Sequence, residues 1–322
     1  PGTDFLECFE LLGHDFYDAQ GFDKAVEGQE PFGLLYLKQV ESVARQYGKQ
    51  RVMDECWGAG GHDATPADWL RLGRYLAVHG VNHFVPHHCL QTISGARKQD
   101  HPQFFSDQIP VFDYLRPMND ELARLSAFGR QGKLANRILV LDPLTTGFVI
   151  ARKADAVRSG PATAEACDDA LKDSLRSLLP LREEVSALVQ LLSDRLLDFD
   201  LGDEYVLEEI GGVDADCGLQ VGEACYDCIV WPQGMIHLRA QTAEWLNSYL
   251  EQGGHIYGVR PDQFMVAGRV SEQLGQWERQ FADQIHWFAD ADALCDALAE
   301  AVPPRLTFAE GGVLPDTGLA LS

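Results

Sequence analysis

The sequence predicts an α/β protein with two parallel-sheet domains, the C-terminal portion of a barrel followed by a doubly wound domain. Three observations predict it. Over the first 135 residues, short apolar runs alternate with amphipathic helical stretches, the pattern of a parallel sheet with crossover helices. One run, Val52-Met53-Asp54-Glu55-Cys56-Trp57, ends in a carboxylate and an aromatic and runs into Gly58-Ala59-Gly60-Gly61. Buried parallel strands read as such runs, and their C-terminal ends feed the loops that carry chemistry. Beyond Gly132–Asn136 a second series of apolar runs begins at Arg137-Ile138-Leu139-Val140-Leu141.

In chain order, residues 3 to 10 read as a strand. Leu34 to Tyr47 reads as a helix with Leu34, Leu37, Val40 and Ala44 on one face, closed by Gly48. Arg51 to Glu55 is the next strand. Thr65-Pro66 opens a helix as N-cap and first residue, which runs to His79 and stops at Gly80. Val81 to Pro86 is a strand, Gln91 to Pro110 a loop of a length that is uncommon unless functional, and Val111 to Gln131 a helix. In the second domain, residues 151 to 166 look like an exposed insertion, and Asp168 to Leu197 like a long helix broken at Pro180. A short helix follows Glu204; Tyr226 to Trp231 and His255 to Val259 are buried strands around a helix at Thr242 to Gln252. Residues 284 to 300 supply a final strand and helix. The domains are therefore 1–135 and 136–300, with 301–322 a tail or the start of a further domain.

The chain has 322 residues, 46% hydrophobic and 23% charged, as expected of a globular protein with a large core. A formal net charge of -23 argues against nucleic acid, which needs clustered Lys and Arg, and leaves neutral substrates unopposed. No run of apolar residues is long enough to span a membrane. Eight cysteines are scattered without a dense disulfide framework. Cys225-Tyr226-Asp227-Cys228 has CxxC spacing, but no second half of a zinc site accompanies it, so buried or free thiols outweigh a metal or redox pair. The chain opens at Pro1 already in strand pattern and without a signal peptide, and reads as a fragment of a longer polypeptide. These residues leave localisation open, with periplasm, extracellular space and cytoplasm all admissible.

Three loops are expected to converge on one barrel face. One carries Glu55 and Trp57, the next His87, His88 and Cys89, and the third Arg97, Lys98 and Asp100. Carboxylates and cations around an aromatic suit carbohydrate, because sugars offer hydroxyls to charged groups and a C–H face to a ring. Glycoside cleavage needs two carboxylates flanking the bond. Glu55 is one, as base or nucleophile. Glu7 and Glu10 on the preceding strand are candidates by position, but their odd separation keeps them off a common face. Against this stand blander readings: a lone Glu at a strand end is usually solvated, Arg97-Lys98 can be a solvated pair, and His83 fits a packed core histidine. The substrate-binding set is therefore Trp57, His87, Arg97, Lys98, Asp100 and Glu10.

The order Lys38-Gln39-Val40-Glu41 through Gly48-Lys49, Asp54-Glu55-Cys56-Trp57-Gly58, Gly80-Val81-Asn82, His87, Gly95-x-Arg97-Lys98-x-Asp100-x-Pro102 and Leu122-Ala123-Arg124-Leu125-Ser126 resembles the α-L-rhamnosidase-like glycoside hydrolases. Asp198 to Glu204, Leu219 to Glu223, Val230-x-Pro232 and Gly253-Gly254 resemble that family's second domain. The resemblance spans about residues 34 to 262. It implies a (β/α)8 (TIM) barrel with Glu55 on the seventh strand and 81–86 the eighth, then a domain like class I glutamine amidotransferases (flavodoxin/amidotransferase-like). Glu55 matches the family's Ser-Glu-x-x-Gly glutamate, with Asp54 in place of Ser; His87, Arg97, Lys98 and Asp100 match its binding loops. The implied activity is hydrolysis of O-glycosidic bonds in plant or bacterial polysaccharides or glycosides, α-L-rhamnosides among them, with a second carboxylate on a strand upstream of this chain. Inversion of configuration and calcium assistance are implied by the family alone; no calcium-loop pattern supports the metal, and no other cofactor is expected. The amidotransferase-like domain lacks a Cys at the turn Pro232-Gln233-Gly234, which points to a structural role or homo-oligomer formation. Competing readings are a non-catalytic carbohydrate-binding or scaffold protein derived from such a barrel, and an amidotransferase-like or CxxC redox enzyme.

Overall fold

The computed structural model describes residues 10–11, 33–57, 64–87, 89, 94, 105–132, 136–155, 164–214 and 218–304. The chain divides into two compact units, residues 1–134 with 308–322, and residues 135–307.

In the first unit, β1 (Glu10–Leu11), α1 (Gly33–Gln46), β2 (Met53–Cys56), α2 (Pro66–Val78), β3 (His83–Pro86) and α3 (Phe112–Gly129) follow one another. The strands form a parallel sheet in the order β1-β2-β3. Helix α2 starts where the sequence dictates. Thr65 accepts from the Asp68 backbone, the Asp68 carboxylate accepts in return from the Thr65 N–H at 2.9 Å, and Pro66 sits in the first turn. It ends at Gly80, whose φ of +91° would strain any other residue, and where a Cβ would press on the Glu41 carboxyl at 2.8 Å. Trp69, Leu72 and Leu76 recur at helical spacing and are buried with Leu37 of α1, Met118 and Leu122 of α3, and Cys56. Gly73 lets α3 approach closely, since a Cβ there would meet Leu122 at 2.6 Å.

Two-residue periodicity sorts β2. Asp54 and Cys56 are fully buried on the helix side, and Met53 and Glu55 are only half-buried on the other. Burial, with the neighbouring Asp54 carboxylate, pushes the Cys56 thiol well above its ordinary range, which makes it inert. Asn82 locks the register of β2 against β3: its amide donates to the Gln50 carbonyl at 3.0 Å and its oxygen accepts from the Val52 N–H at 3.2 Å. His83, expected in the core, is exposed on β3, because it shares the open face of Met53 and not the helix-covered one.

The second unit opens with β4 (Ile138–Leu141), α4 (Leu144–Asp155), α5 (Ala164–Asp194), β5 (Phe199–Gly202) and α6 (Glu204–Ile210). A three-stranded antiparallel ribbon follows, β6 (Gly211–Asp214), β7 (Gly218–Val221) and β8 (Ala224–Tyr226). Then come β9 (Cys228–Trp231), β10 (His237–Leu238), α7 (Ala240–Glu251), β11 (His255–Val259), the hairpin β12 (Met265–Val266) and β13 (Arg269–Val270), α8 (Gln273–Gln280), β14 (Ile285–Phe288) and α9 (Ala291–Ala301). Five strands make a parallel sheet in the order β14-β11-β9-β4-β5. Counted within the sheet this is 2-1-3-4-5, and the order reverses between β4 and β9. In open parallel sheets ligands gather outside the carboxyl ends of the strands at such a switch point.

Three expectations are corrected here. Residues 151–155 are helical, as the end of α4, and 164–166 are the start of α5; the rest of the expected insertion lies outside the described residues. Helix α5 runs through Pro180 unbroken; Pro180 is exposed, and the buried stripe Val185, Leu188, Val189 and Leu192 beyond it holds the helix on course. The run Tyr226 to Trp231 is two strands, not one. At Asp227 the chain leaves the ribbon for the core sheet, its N–H bonded to the Arg137 carbonyl at 2.7 Å and its carboxylate paired with the Arg137 side chain. Beneath this crossing, buried Asp200 of β5 accepts from the Tyr226 hydroxyl at 2.7 Å and the Asn136 amide at 2.6 Å, so each of its carboxyl oxygens has a hydrogen-bond partner.

Candidate functional site

Glu55 and His87 meet at the carboxyl ends of adjacent parallel strands. The β2–β3 register sets Glu55 opposite Val85, and His87 lies two residues on, hence on the same face. The His87 N–H donates to the Cys56 carbonyl at 2.9 Å, which carries the ladder one step past the strand and fixes His87 beside Glu55. The Glu55 side chain is 30% exposed and that of His87 16%, with Oε1 and Nε2 3.8 Å apart. That separation is within ion-pair range and too long for a hydrogen bond. A water or a substrate hydroxyl can therefore bond both groups at once. This is the arrangement a carboxylate needs to pass a proton to or from a reacting oxygen.

The other expected site residues fare differently. Trp57 is a correction. The chain turns at Trp57 through a φ of +69°, and the ring swings under the helices into the core, stacked on Phe84 and tilted against Phe105. At 1% exposure it offers no face to a sugar. Glu10 stands on β1 opposite Met53, the residue that shares a face with Glu55. Arg97, Lys98 and Asp100 lie outside the described residues, as does Glu7. Among the described residues no group of three or more His, Cys, Asp or Glu is arranged to hold a metal ion, so the structure adds nothing to the calcium implied by resemblance. No helix among them is long and apolar enough to cross a membrane.

The CxxC pair is not a functional unit. Cys225 is disulfide-bonded, whereas Cys228 is a free, buried thiol that burial, with Asp227 beside it, pushes up to about 12.

The structure also assembles a polar chain that sequence reasoning missed, at the carboxyl ends of the second unit's sheet. The Gly268 N–H donates to His237 Nε2 at 3.0 Å, which leaves the imidazole proton on Nδ1. Nδ1–H donates to the Thr145 hydroxyl at 2.9 Å, the hydroxyl donates to Glu204 Oε1, and Glu204 Oε2 accepts from the Arg239 N–H at 2.7 Å. Burial holds His237 below and Glu204 above their ordinary values. A His, a hydroxyl and a Glu in line resemble a nucleophile relay. Here both nitrogens of His237 are used inside the protein, and no cysteine follows β9, where the turn is Pro232-Gln233-Gly234. The chain braces α4, α6, α7 and the β12–β13 hairpin.

No protein-family model matches the sequence, and comparison with curated protein sequences yields no match. Among solved structures, the rhamnosidase from Novosphingobium sp. PP1Y aligns with a TM-score of 0.54 at 18% identity, over 87% of this chain and 25% of its own. The apo exo-carrageenase GH42 from Bacteroides ovatus aligns with a TM-score of 0.52 at 12% identity, over 84% of this chain and 32% of its own. This chain thus spans about a quarter to a third of the length of these proteins. At such identities the likeness concerns the fold, which is a mixed helix–sheet structure with parallel sheets of the kind found in TIM-barrel glycoside hydrolases.

Proposed function

We propose that the chain is the C-terminal part of a glycoside hydrolase barrel, followed in sequence by an amidotransferase-like α/β domain. In this reading Glu55 is one of the two carboxylates that cleave an O-glycosidic bond in a plant or bacterial polysaccharide or glycoside, with α-L-rhamnosides the first substrates to try. The observation that carries it is the half-exposed Glu55 carboxylate at a parallel strand's carboxyl end, facing His87 across 3.8 Å. Two solved structures that share the fold are named as glycoside-cleaving enzymes, which supports the same class.

Glu55 takes a proton from the water that attacks the anomeric carbon, or attacks that carbon itself; in either case the glycosidic C–O bond breaks and the second carboxyl protonates the departing oxygen, while His87 holds the carboxylate or a substrate hydroxyl in place. The second carboxylate stands roughly 5 to 10 Å away, the shorter spacing for retention and the longer for inversion. It comes from barrel strands that complete the β1–β3 arc in the longer protein. Arg97, Lys98, Asp100 and Glu10 bind sugar hydroxyls, and no cofactor takes part. The second unit braces the assembly or joins copies of it, in keeping with a relay whose groups are all satisfied internally.

The test is turnover of aryl glycosides, p-nitrophenyl α-L-rhamnoside first, by the longest natural protein that contains this chain. Glu55→Gln is expected to lower kcat by roughly 100- to 10,000-fold. Wild-type-like turnover by that variant would overturn the role of Glu55. Sugar binding without turnover by the wild type would favour the non-catalytic carbohydrate-binding reading.

A further inference from the structure

The second unit carries a cleft that the reading above does not use. It measures about 850 Å³ and opens beyond the carboxyl ends of the parallel sheet, beside the switch point between β4 and β9. It lies entirely within this unit. Thr145, His237, Phe148, Tyr205, Arg239 and Glu208 line it.

Three features limit what it can hold. The first is charge. Arg239 is the sole cation among the described lining residues, and it is already spent in a bidentate pair with Glu208, at 2.6 Å to each oxygen. Among the described lining residues, a phosphate or carboxylate ligand would meet no cation outside that pair and would face Glu208, in a chain of net charge -23. The second is exposed aromatic surface. Phe148 is 52% and Tyr205 48% exposed, large for rings on a folded domain, and Tyr205 is held rigid by the Arg239 guanidinium 4.1 Å from its centre. The third is a pre-formed wall. Ala267 and Gly268, the two-residue connection of the β12–β13 hairpin, both have positive φ, +49° and +76°. For Ala267 that conformation is strained, and the Gly268 bond to His237 holds it against the cleft.

We infer that this cleft binds a neutral saccharide, with Phe148 and Tyr205 against the apolar C–H faces and the Arg239–Glu208 pair bonding hydroxyls. The chemistry follows from the three features together. Aromatic rings beside a neutralised ion pair repel neither partner of a sugar and reward its two kinds of surface. Rigid walls reduce the entropy lost on binding. A ligand of one or two sugar rings is expected to bind with a Kd on the order of 1 mM. The inference stands apart from the role of Glu55, since it concerns equilibrium binding in the other unit.

Saturation-transfer NMR on the full chain tests it, with methyl α-L-rhamnoside, methyl β-D-galactoside and lactose as probes and inorganic phosphate in parallel. Saturable transfer to at least one saccharide is expected, with none detectable to phosphate by ³¹P line width. Phe148→Ala and Tyr205→Ala are each expected to raise Kd at least tenfold while circular dichroism and Tm stay unchanged. Absence of binding by all three saccharides overturns the inference, as does unchanged affinity in both variants or tight binding of phosphate. Self-association in the ultracentrifuge that either variant abolishes, without saccharide binding, assigns the rings to a protein interface and also overturns it.

Discussion

Glu55 with His87 in the first unit and Glu204 with His237 in the second occupy comparable places, just past the carboxyl ends of parallel strands. The first pair is half-exposed and stands 3.8 Å apart, short of a hydrogen bond. The second is buried and linked through Thr145, with each His237 nitrogen and both Glu204 oxygens engaged. The same two side-chain types thus serve opposite ends. A pair that is partly open to solvent can meet a ligand, whereas a pair buried and bonded through its neighbours is a brace. Exposure and linkage, more than residue identity, separate a site from a strut.

Substitutions should break the two pairs in different observables. The largest effect is expected for Glu55→Gln in the longer protein: a loss of roughly 100- to 10,000-fold in kcat, with an unfolding free energy from urea titration that changes by less than about 0.5 kcal/mol because the side chain is partly exposed. Glu204→Ala should do the reverse. It strands the Thr145 hydroxyl and the Arg239 N–H in a buried place, at a cost of about 3 kcal/mol in the unfolding free energy. If Glu204→Ala were neutral to stability, the bracing account would fail.

Acid titration should separate the units next. His79, at the end of α2, is buried and neutral, and burial lowers it to about 3 from the ordinary 6.5. Below 6.5 the unfolded chain takes up a proton that the folded chain does not. Stability of the first unit therefore falls as the pH drops from 6.5 toward 3, by up to a few kcal/mol. In the second unit His237 acts in the same direction below 6.5. Glu204 opposes it: its raised folded value means the folded chain keeps a proton above 4.5 that the unfolded chain has lost, so stability falls as the pH rises through that window. Urea midpoints from pH 4 to 7 should show a steeper acid loss in the first unit, and His79→Leu should flatten it. The smallest effect is expected for His87→Asn, within about 0.5 kcal/mol of wild type in stability; a larger loss would mark His87 as structural.

Much of this was legible in the residues, and the failures have physical reasons. Met53–Cys56 and Ile138–Leu141 announce themselves as apolar runs, and period-two alternation gives Glu55 its open face. Trp57 was misread because an aromatic after a strand looks the same whether it turns to the rim or under the helices; its positive φ, uncommon outside glycine, decides the matter and leaves no mark in the sequence. Pro180 breaks a helix by local rule, yet packing farther along α5 outweighs it. The ribbon β6–β8 is short and glycine-containing, with little apolar periodicity to find. The Thr145–His237–Glu204 chain joins residues 59 and 92 positions apart, which only the folded sheet brings together.

The alternation in β2 has a consequence for how this region can change over time. Asp54 and Glu55 are neighbours in the chain, yet one is sealed beneath helices and the other looks outward. Deleting Met53, with the start of the strand held in register, would exchange their surroundings, turning Glu55 inward and Asp54 outward one position earlier in the strand. Point substitutions can be sampled one at a time here, but length changes cannot. Homologous genes should therefore show a gap-free block across these few codons, with insertions and deletions collecting in the loops on either side.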